Sequence, residues 1–335
     1  MRYRPLRPLA FFAALALVAA GLAAAPAPSE AQTRTKIRYA LGDIVTVESL
    51  PLLIAIDRVK ARGVDVEIIS LKSEELAMQA VVNGQADIGQ GTPYAAIQKL
   101  SAPIRFIYQL NALQFFPVVN KEAYKSWKDL DGQEVVVHSR GSGTEAIMRL
   151  MADRQGIKYK AISYVPGSEV RALAMLKGTI KASIVDSTNK NLLFREAPDK
   201  FLVLPTGEVK ASDESMFATR AWIDAHRDAV QALLEESLKV WRALVASPQF
   251  VADERKRLGL LKDLPAKLEG EMLPYFQQGV QNGIFPTDGG VDRAPKDDLE
   301  FFTTSGALKG TPAELKVEDF WYLDPLQKAL ARVGK

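Results

Sequence analysis

The stretch that decides the fold is Glu134-Val-Val-Val-His-Ser-Arg-Gly-Ser-Gly-Thr-Glu-Ala-Ile-Met-Arg149. Val135, Val136 and Val137 are consecutive and β-branched, which suits a strand covered on both faces. Gly141 and Gly143 let the chain turn sharply and leave the backbone uncovered. Ser142 or Thr144 can cap a helix that carries Ala146, Ile147, Leu150 and Met151 on its apolar side. Such a helix start has unpaired N–H groups and the positive end of the dipole, so it can accept a small anion or another acceptor group. A plain strand–turn–helix unit of any α/β protein reads the same way, so the flanking sequence has to decide.

Outward in both directions the unit repeats. Upstream, Lys36 to Leu41, Val64 to Ile69, Ala86 to Gly89 and Ile104 to Leu110 read as strands. Helical spacing runs from Glu48 to Arg62, with Pro51 in a first turn and Gly63 at the stop, and again from Ser73 to Asn83. Phe115 to Val119 is extended and apolar. Downstream, Ala161 to Val165, Lys181 to Val185 and Phe201 to Leu204 are strands, with a helix from Gly167-Ser168 to Gly178 between the first two. This alternation with short connections predicts two α/β units, each built on a mostly parallel sheet.

Glu214 to Thr219 is one more extended piece, and then the pattern turns helical: Asp228–Val245, Gln249–Arg257, Leu264–Val280, Lys296–Ser305 and Leu326–Arg332. Phe276, Phe301, Phe302, Phe320, Trp321 and Tyr322 are expected to pack core. A helical tail after a completed sheet is best placed back against the first unit. The expected organisation is therefore residues 32–115 with 217–335 as one lobe and 116–216 as an inserted lobe. Crossings near Ala112–Val119 and Ser212–Ala218 would form a hinge.

Composition removes several function classes. The chain has no cysteine, hence no disulfide, thiol nucleophile or cysteine-held metal, and only two histidines, His138 and His226. No metal site and no cofactor are expected. A formal charge of +3 over 335 residues argues against a nucleic-acid footprint. Arg2, Arg4 and Arg7 precede an apolar run from Leu9 to Ala25 and the small-residue exit Ser29-Glu30-Ala31, a secretory-leader pattern over residues 1–31. Its removal takes away three Arg and one Glu and leaves a nearly neutral exported protein, soluble and without a lipid anchor.

The polar turns at strand ends carry the chemistry. They are Gly42-Asp43-Ile44-Val45-Thr46, Gly89-Gln90-Gly91-Thr92, Ser139-Arg140-Gly141-Ser142-Gly143-Thr144 and Asp186-Ser187-Thr188-Asn189. In an open parallel sheet, ligands bind outside those ends. The residues offer hydrogen bonds and close backbone approach rather than a reactive group. No hydrolase elbow, phosphate loop, zinc-helix motif or dinucleotide fingerprint occurs. His138 and Ser139 are neighbours on a strand and point to opposite faces, so they do not form a base–nucleophile pair, and a structural or solvent-facing His138 is expected. His226 reads as a surface residue and Arg140 as an exposed loop residue. Asp186 reads as a turn or cap residue; Asp43 is a cap, a ligand acceptor or half of a carboxylate pair.

Together, Ala86-Asp-Ile-Gly89, Asp131-Gly-Gln-Glu-Val-Val-Val137, Gly141-Ser142, Val165-Pro-Gly-Ser168, Leu176-Lys-Gly178, Ala182 to Asp186 and Met216-Phe-Ala-Thr-Arg-Ala221 resemble the periplasmic solute-binding proteins of ABC importers. The nearest group is the nitrate/sulfonate/taurine and thiamine-pyrimidine-precursor binding proteins, and the likeness spans roughly Lys36 to Leu244. It implies a two-lobed α/β periplasmic-binding-protein fold with two crossover segments, closing on a small molecule and delivering it to a membrane permease. It also implies a periplasmic monomer with no catalytic residues. Ligand contacts would come from Asp43, Thr46, Gln90, Gly91, Thr92, Phe115, Ser139, Gly141, Ser142, Gly143, Thr144, Asp186 and Ser187. The expected guest is a small organic anion such as a sulfonate or carboxylate. A pyrimidine, stacked on Tyr94 or Phe115 beside Asp43, is the alternative. An enzyme on the same fold, or a sensor domain, are the rival classes.

Overall fold

Ten strands form two five-stranded sheets with matching topology. The first contains β1 (Thr35–Leu41), β2 (Val64–Ser70), β3 (Ile88–Gly91), β4 (Ile104–Ala112) and β10 (Ser212–Thr219), ordered β2-β1-β3-β10-β4. The second contains β5 (Phe115–Asn120), β6 (Glu134–Val137), β7 (Ala161–Tyr164), β8 (Ala182–Asp186) and β9 (Phe201–Val203), ordered β7-β6-β8-β5-β9. In each sheet three neighbouring strands are parallel, and the fourth in spatial order is antiparallel to both its neighbours. That antiparallel strand is the one that has just crossed over: β5 enters from the first sheet, and β10 returns to it. The structure, a computed structural model, describes residues 34–334, so the leader expected over residues 1–31 lies outside the described residues.

The division expected at 115/116 and 216/217 cuts through β5 and β10. Sheet membership changes between Ala112 and Phe115 and again between Val203 and Ser212. Both shifts have one cause. A crossing strand is hydrogen-bonded to its new sheet from its first residues, as Phe115 pairs with Asp186 and Ser215 with Gly91.

Helices follow the strands: α1 (Leu50–Lys60), α2 (Glu74–Val82) and α3 (Tyr94–Leu100) on the first sheet, α4 (Gly143–Gln155), α5 (Ser168–Lys177) and α6 (Ser187–Glu196) on the second. The tail supplies α7 (Arg220–Ala225), α8 (Arg227–Ala246), α9 (Gln249–Leu258), α10 (Ala266–Gln281), α11 (Ala294–Thr304) and α12 (Asp324–Val333). The apolar stripe of α8, including Val230, Leu233, Leu234, Leu238, Trp241 and Leu244, is buried against the first sheet's core. The tail also hydrogen-bonds along β4, the open edge of that sheet. Phe106 N donates to Phe320 O (2.8 Å), Gln109 N to Gly289 O (2.8 Å) and Ala112 N to Ile284 O (2.7 Å). A bare edge is thereby paired.

Of the tail aromatics expected in the core, Tyr322 alone is half-buried and the others are fully buried. Tyr94 joins them: its ring lies 4.5 Å from those of Phe106 and Phe302, its hydroxyl donates to Asp298 (2.5 Å), and Trp321 Nε1 donates back to it (2.7 Å). It is fully buried among core residues, which removes it as a stacking partner for a guest. His226, expected at the surface, is half-buried and stacks on Trp222 at 4.6 Å. From Thr35 onward the chain forms one compact unit, because α10 of the tail packs against α6 of the second sheet and Glu271 pairs with Arg195 there.

Candidate functional site

A cavity of about 650 Å³ lies where the carboxyl edges of the two sheets face one another. That is within the usual range for a small-molecule site. Its first wall comes from the turn after β1 (Asp43, Val45, Thr46, Val47, Glu48), from Glu74 at the start of α2, and from Asp213 and Glu214 at the start of β10. Its second wall comes from Phe115, His138 and the first turns of α4, α5 and α6. The segment from Gly259 to Leu268, between α9 and α10, covers one side with Leu261, Leu264, Pro265 and Leu268.

The second wall is built by helix capping. Ser142 caps α4, its Oγ accepting from Glu145 N and donating to Ser139 O (2.8 Å). Asp186 caps α6, accepting from Asn189 N and Asn189 Nδ2, both at 2.8 Å. Each cap turns a helix start, with its positive dipole end, toward the cavity. Between them Arg171 is 1 % exposed, and its guanidinium donates to Ile184 O (3.1 Å), Val165 O (2.8 Å) and Ser168 Oγ (2.9 Å). Burial holds its pKa below the ordinary value, opposed by Asp43, Asp186, Glu169 and Glu48.

The first wall is acidic. Burial pushes the Glu48, Asp213 and Glu214 carboxyls well above the usual range, and neighbouring carboxylates push them further. Burial also raises Glu74, against His138 and two hydrogen bonds from Thr92. Across the cleft, Glu169 is pushed up to about 7 by burial and by the charges of Asp43 and Asp186. His138 joins the walls: its Nε2–H faces Gly42 O at 3.1 Å, and Nδ1 lies 3.7 Å from Asp43 Oδ2.

Of the residues expected from the sequence, Asp43, Thr46, Phe115, Ser142, Gly143, Thr144 and Asp186 line this cavity. Gln90, Gly91, Thr92, Ser139, Gly141 and Ser187 do not line it. The turn after β3 sits one layer behind the wall and holds the carboxylates in place. Thr92 N and Oγ1 donate to Glu74 Oε2 (2.6 and 3.1 Å), and Gln90 Nε2 donates to Glu214. Gly91 has φ +141°, and a Cβ there would lie 2.7 Å from Glu74 Cγ, so glycine makes room for that side chain. Ser139 and Gly141 shape the start of α4: the first accepts from Ser142, and the second donates its N–H to Glu145 Oε2 (2.6 Å). Ser187 lines a small adjoining void instead. His138, expected as structural or solvent-facing, is 7 % exposed and lines the cavity. Arg140 is exposed, over the Tyr164 ring at 5.2 Å.

Sequence reasoning missed Glu48, Glu74, Ser168, Glu169, Arg171, Asp213 and Glu214 as lining residues. It quoted the Asp186–Asn189 turn but not Thr188 and Asn189 as contacts. A signal for Asp213 and Glu214 existed. An antiparallel strand brings its amino end, not its carboxyl end, to the ligand edge, and β10 follows a crossing. Among the described residues no cluster of histidine and carboxylate side chains is arranged to hold a metal ion.

The family model described as NMT1/THI5 like matches residues 50–250. No curated protein matches in sequence. Among solved structures, a protein from Bordetella bronchiseptica RB50 superposes with a TM-score of 0.72 at 19% identity, covering 90% of this chain and 98% of that one. The periplasmic nitrate-binding protein NrtA from Synechocystis PCC 6803 gives 0.66 at 15% identity, covering 90% and 89%. A putative periplasmic sulfonate-binding protein from Methylobacillus flagellatus KT gives 0.58 at 17% identity, covering 90% and 95%. At these identities the likeness shows the fold, the two-lobed α/β fold of periplasmic binding proteins.

Proposed function

The chain belongs to the NMT1/THI5-like family, and from that premise we propose that it is the solute-binding component of an ABC-type importer. It captures a small organic molecule between two lobes and passes it to a membrane permease. The observation that carries this is the cavity, lined from both sheets by backbone, hydroxyl, amide and carboxyl groups with apolar side chains between them. The sheet of β1 to β4 and β10 with the helical tail acts as one lobe and the sheet of β5 to β9 as the other, hinged where β4 passes to β5 and β9 to β10. Transport neighbours on the same fold, one periplasmic and nitrate-binding and one described as periplasmic and sulfonate-binding, support a periplasmic location; export by residues 1–31 and a monomeric state belong to the same proposal.

Capture is by closure, without bond-making. His138 opposite Gly42 and Asp43 is a contact that closing creates and opening breaks. A micromolar dissociation constant corresponds to about 8 kcal/mol, within reach of several hydrogen bonds plus apolar burial against Phe115 and Leu261. At a hundredfold excess over that constant, a guest stabilises the fold by about 2.7 kcal/mol. The test is a thermal-shift panel of sulfonates, carboxylates, nitrate, amines and pyrimidines on ligand-free protein, followed by solution scattering with any responder. A raised melting temperature with a smaller radius of gyration supports the reading. A folded, ligand-free protein that answers to none of them contradicts it. The anionic guest expected from the sequence draws on the helix starts of the second wall. The pyrimidine alternative loses Tyr94 to the core and keeps only Phe115 for stacking.

A further inference from the structure

We propose that the guest carries an organic cation, an ammonium or amidinium group on a small carbon body, held by Glu48, Asp213 and Glu214 of the first wall. The inference rests on the solute-binding reading and names the chemical class that the site takes.

The charge at the cavity is one-sided. Eight carboxyl groups line it against Arg171, Lys262 and His138. Lys262 and Asp263 are exposed at the rim, which leaves Arg171 as the buried cation among the described lining residues. That guanidinium already donates to two backbone carbonyls and to Ser168 on its own wall. Asp213 and Glu214 sit side by side at the head of β10, and Glu214 is fixed by Gln90 from behind. A cation entering here lets carboxyl groups already held in place ionise against it, whereas an anion offers them nothing to ionise against.

A second observation, independent of the carboxylates, points the same way. Thr188 and Asn189 line the cavity and are 6 % and 5 % exposed, yet Thr188 Oγ1 and Asn189 Oδ1 have no hydrogen-bond partner. The orientation of the Asn189 amide is set by chemistry. Its Nδ2 donates to Asp186 Oδ2 at 2.8 Å while its N–H donates to Asp186 Oδ1, so both carboxyl oxygens serve as acceptors here. The unsatisfied atom is therefore an acceptor, and what would satisfy it is an N–H donor from the guest. Phe115, Val47, Leu261 and Leu264 supply the apolar surface for a carbon body.

Isothermal titration of the ligand-free protein with putrescine and agmatine as cations, methanesulfonate and nitrate as anions, and taurine as a zwitterion tests this. The expected result is binding of putrescine or agmatine, weakened at least tenfold by Glu214→Gln, by Asp213→Asn and by Glu48→Gln. Each variant is checked for folding by its melting temperature, and three separate positions guard against one that fails to fold. Binding of methanesulfonate or nitrate without either cation overturns the cationic guest and leaves solute capture standing, and so does taurine binding that the three substitutions leave unchanged. Cation binding that is indifferent to all three substitutions overturns the assignment to this wall. No response to any of the five probes counts against both the inference and the reading beneath it.

Discussion

On the first sheet the strand that has crossed from the other lobe, β10, begins with Ser212-Asp213-Glu214; on the second its counterpart, β5, begins with Phe115. The two strands hold the same place in matching topologies, and both bring their first residues to the cleft. One delivers two carboxylates and the other an aromatic ring. The same contrast runs along both walls. The first meets the cavity with Asp43, Glu48 and Glu74, the second largely with the starts of α4, α5 and α6, of which α4 and α6 carry side-chain caps. Topology thus determines which residues reach the guest, and local sequence determines the charge they bring. A guest lying across the cleft meets acceptors on one side and helix N–H groups and hydroxyls on the other.

That contrast can be broken most severely at Arg171. Arg171→Met removes the donors to Ile184 O and Val165 O and leaves the surrounding carboxylates without a buried counter-charge. We expect a loss of at least about 3 kcal/mol of unfolding free energy by urea titration. A loss below about 1 kcal/mol would mean that the second wall does not depend on it. On the first wall, Gly91→Ala forces a Cβ toward Glu74 at a φ disfavoured for side chains, and should cost about 2 kcal/mol. Wild-type stability there would show that Glu74 yields freely and the wall is soft.

The acidity of the cleft makes stability depend on pH in a stated direction. Burial raises Glu48, Asp213 and Glu214 on the first wall and pushes Glu169 up to about 7, so each binds its proton more tightly folded than unfolded. Such a group leaves stability intact below its unfolded pKa and lowers it as pH rises through the folded value. The melting temperature of ligand-free protein should therefore rise by a few degrees as pH falls from 8 to 5. Below the ordinary carboxylate range the trend reverses, because Glu254, held low by Arg257, must then be protonated. A bound cation should flatten the slope above pH 5. A slope identical with and without it would show that guest and carboxylates do not meet.

Smaller effects sharpen the picture of closure. His138→Ala removes the contact with Gly42 O and Asp43 and should cost about 1 kcal/mol of guest affinity, with a more open shape in scattering. Arg195→Ala breaks the pair with Glu271 that ties α6 to α10. Arg195 is 45% exposed, and the change should cost under about 1 kcal/mol. If Arg195→Ala had the larger effect on affinity, the tail rather than the cleft edge would control closing.

Much of this was legible in the chain, because strand and helix patterns are local. Val135–Val137 with Gly141 to Thr144 announce a buried strand and a capped helix start whatever surrounds them, and the second turn of that kind, Asp186 to Asn189, does the same. Repetition of the unit, with a helical tail to follow, was enough for a two-lobed α/β fold. The fold decided how close each turn comes to the guest. Gln90 and Thr92 are as polar as Asp43, yet Glu74 from the preceding helix covers Thr92 and Glu214 from a strand more than a hundred residues away engages Gln90. Periodicity reports which face of an element is buried, not what another element lays over its end. The charge of the cleft likewise emerges only when carboxylates from the β1–α1 turn, α2, α5, the end of β8 and β10 converge, since each alone reads as an ordinary surface acid or a helix cap.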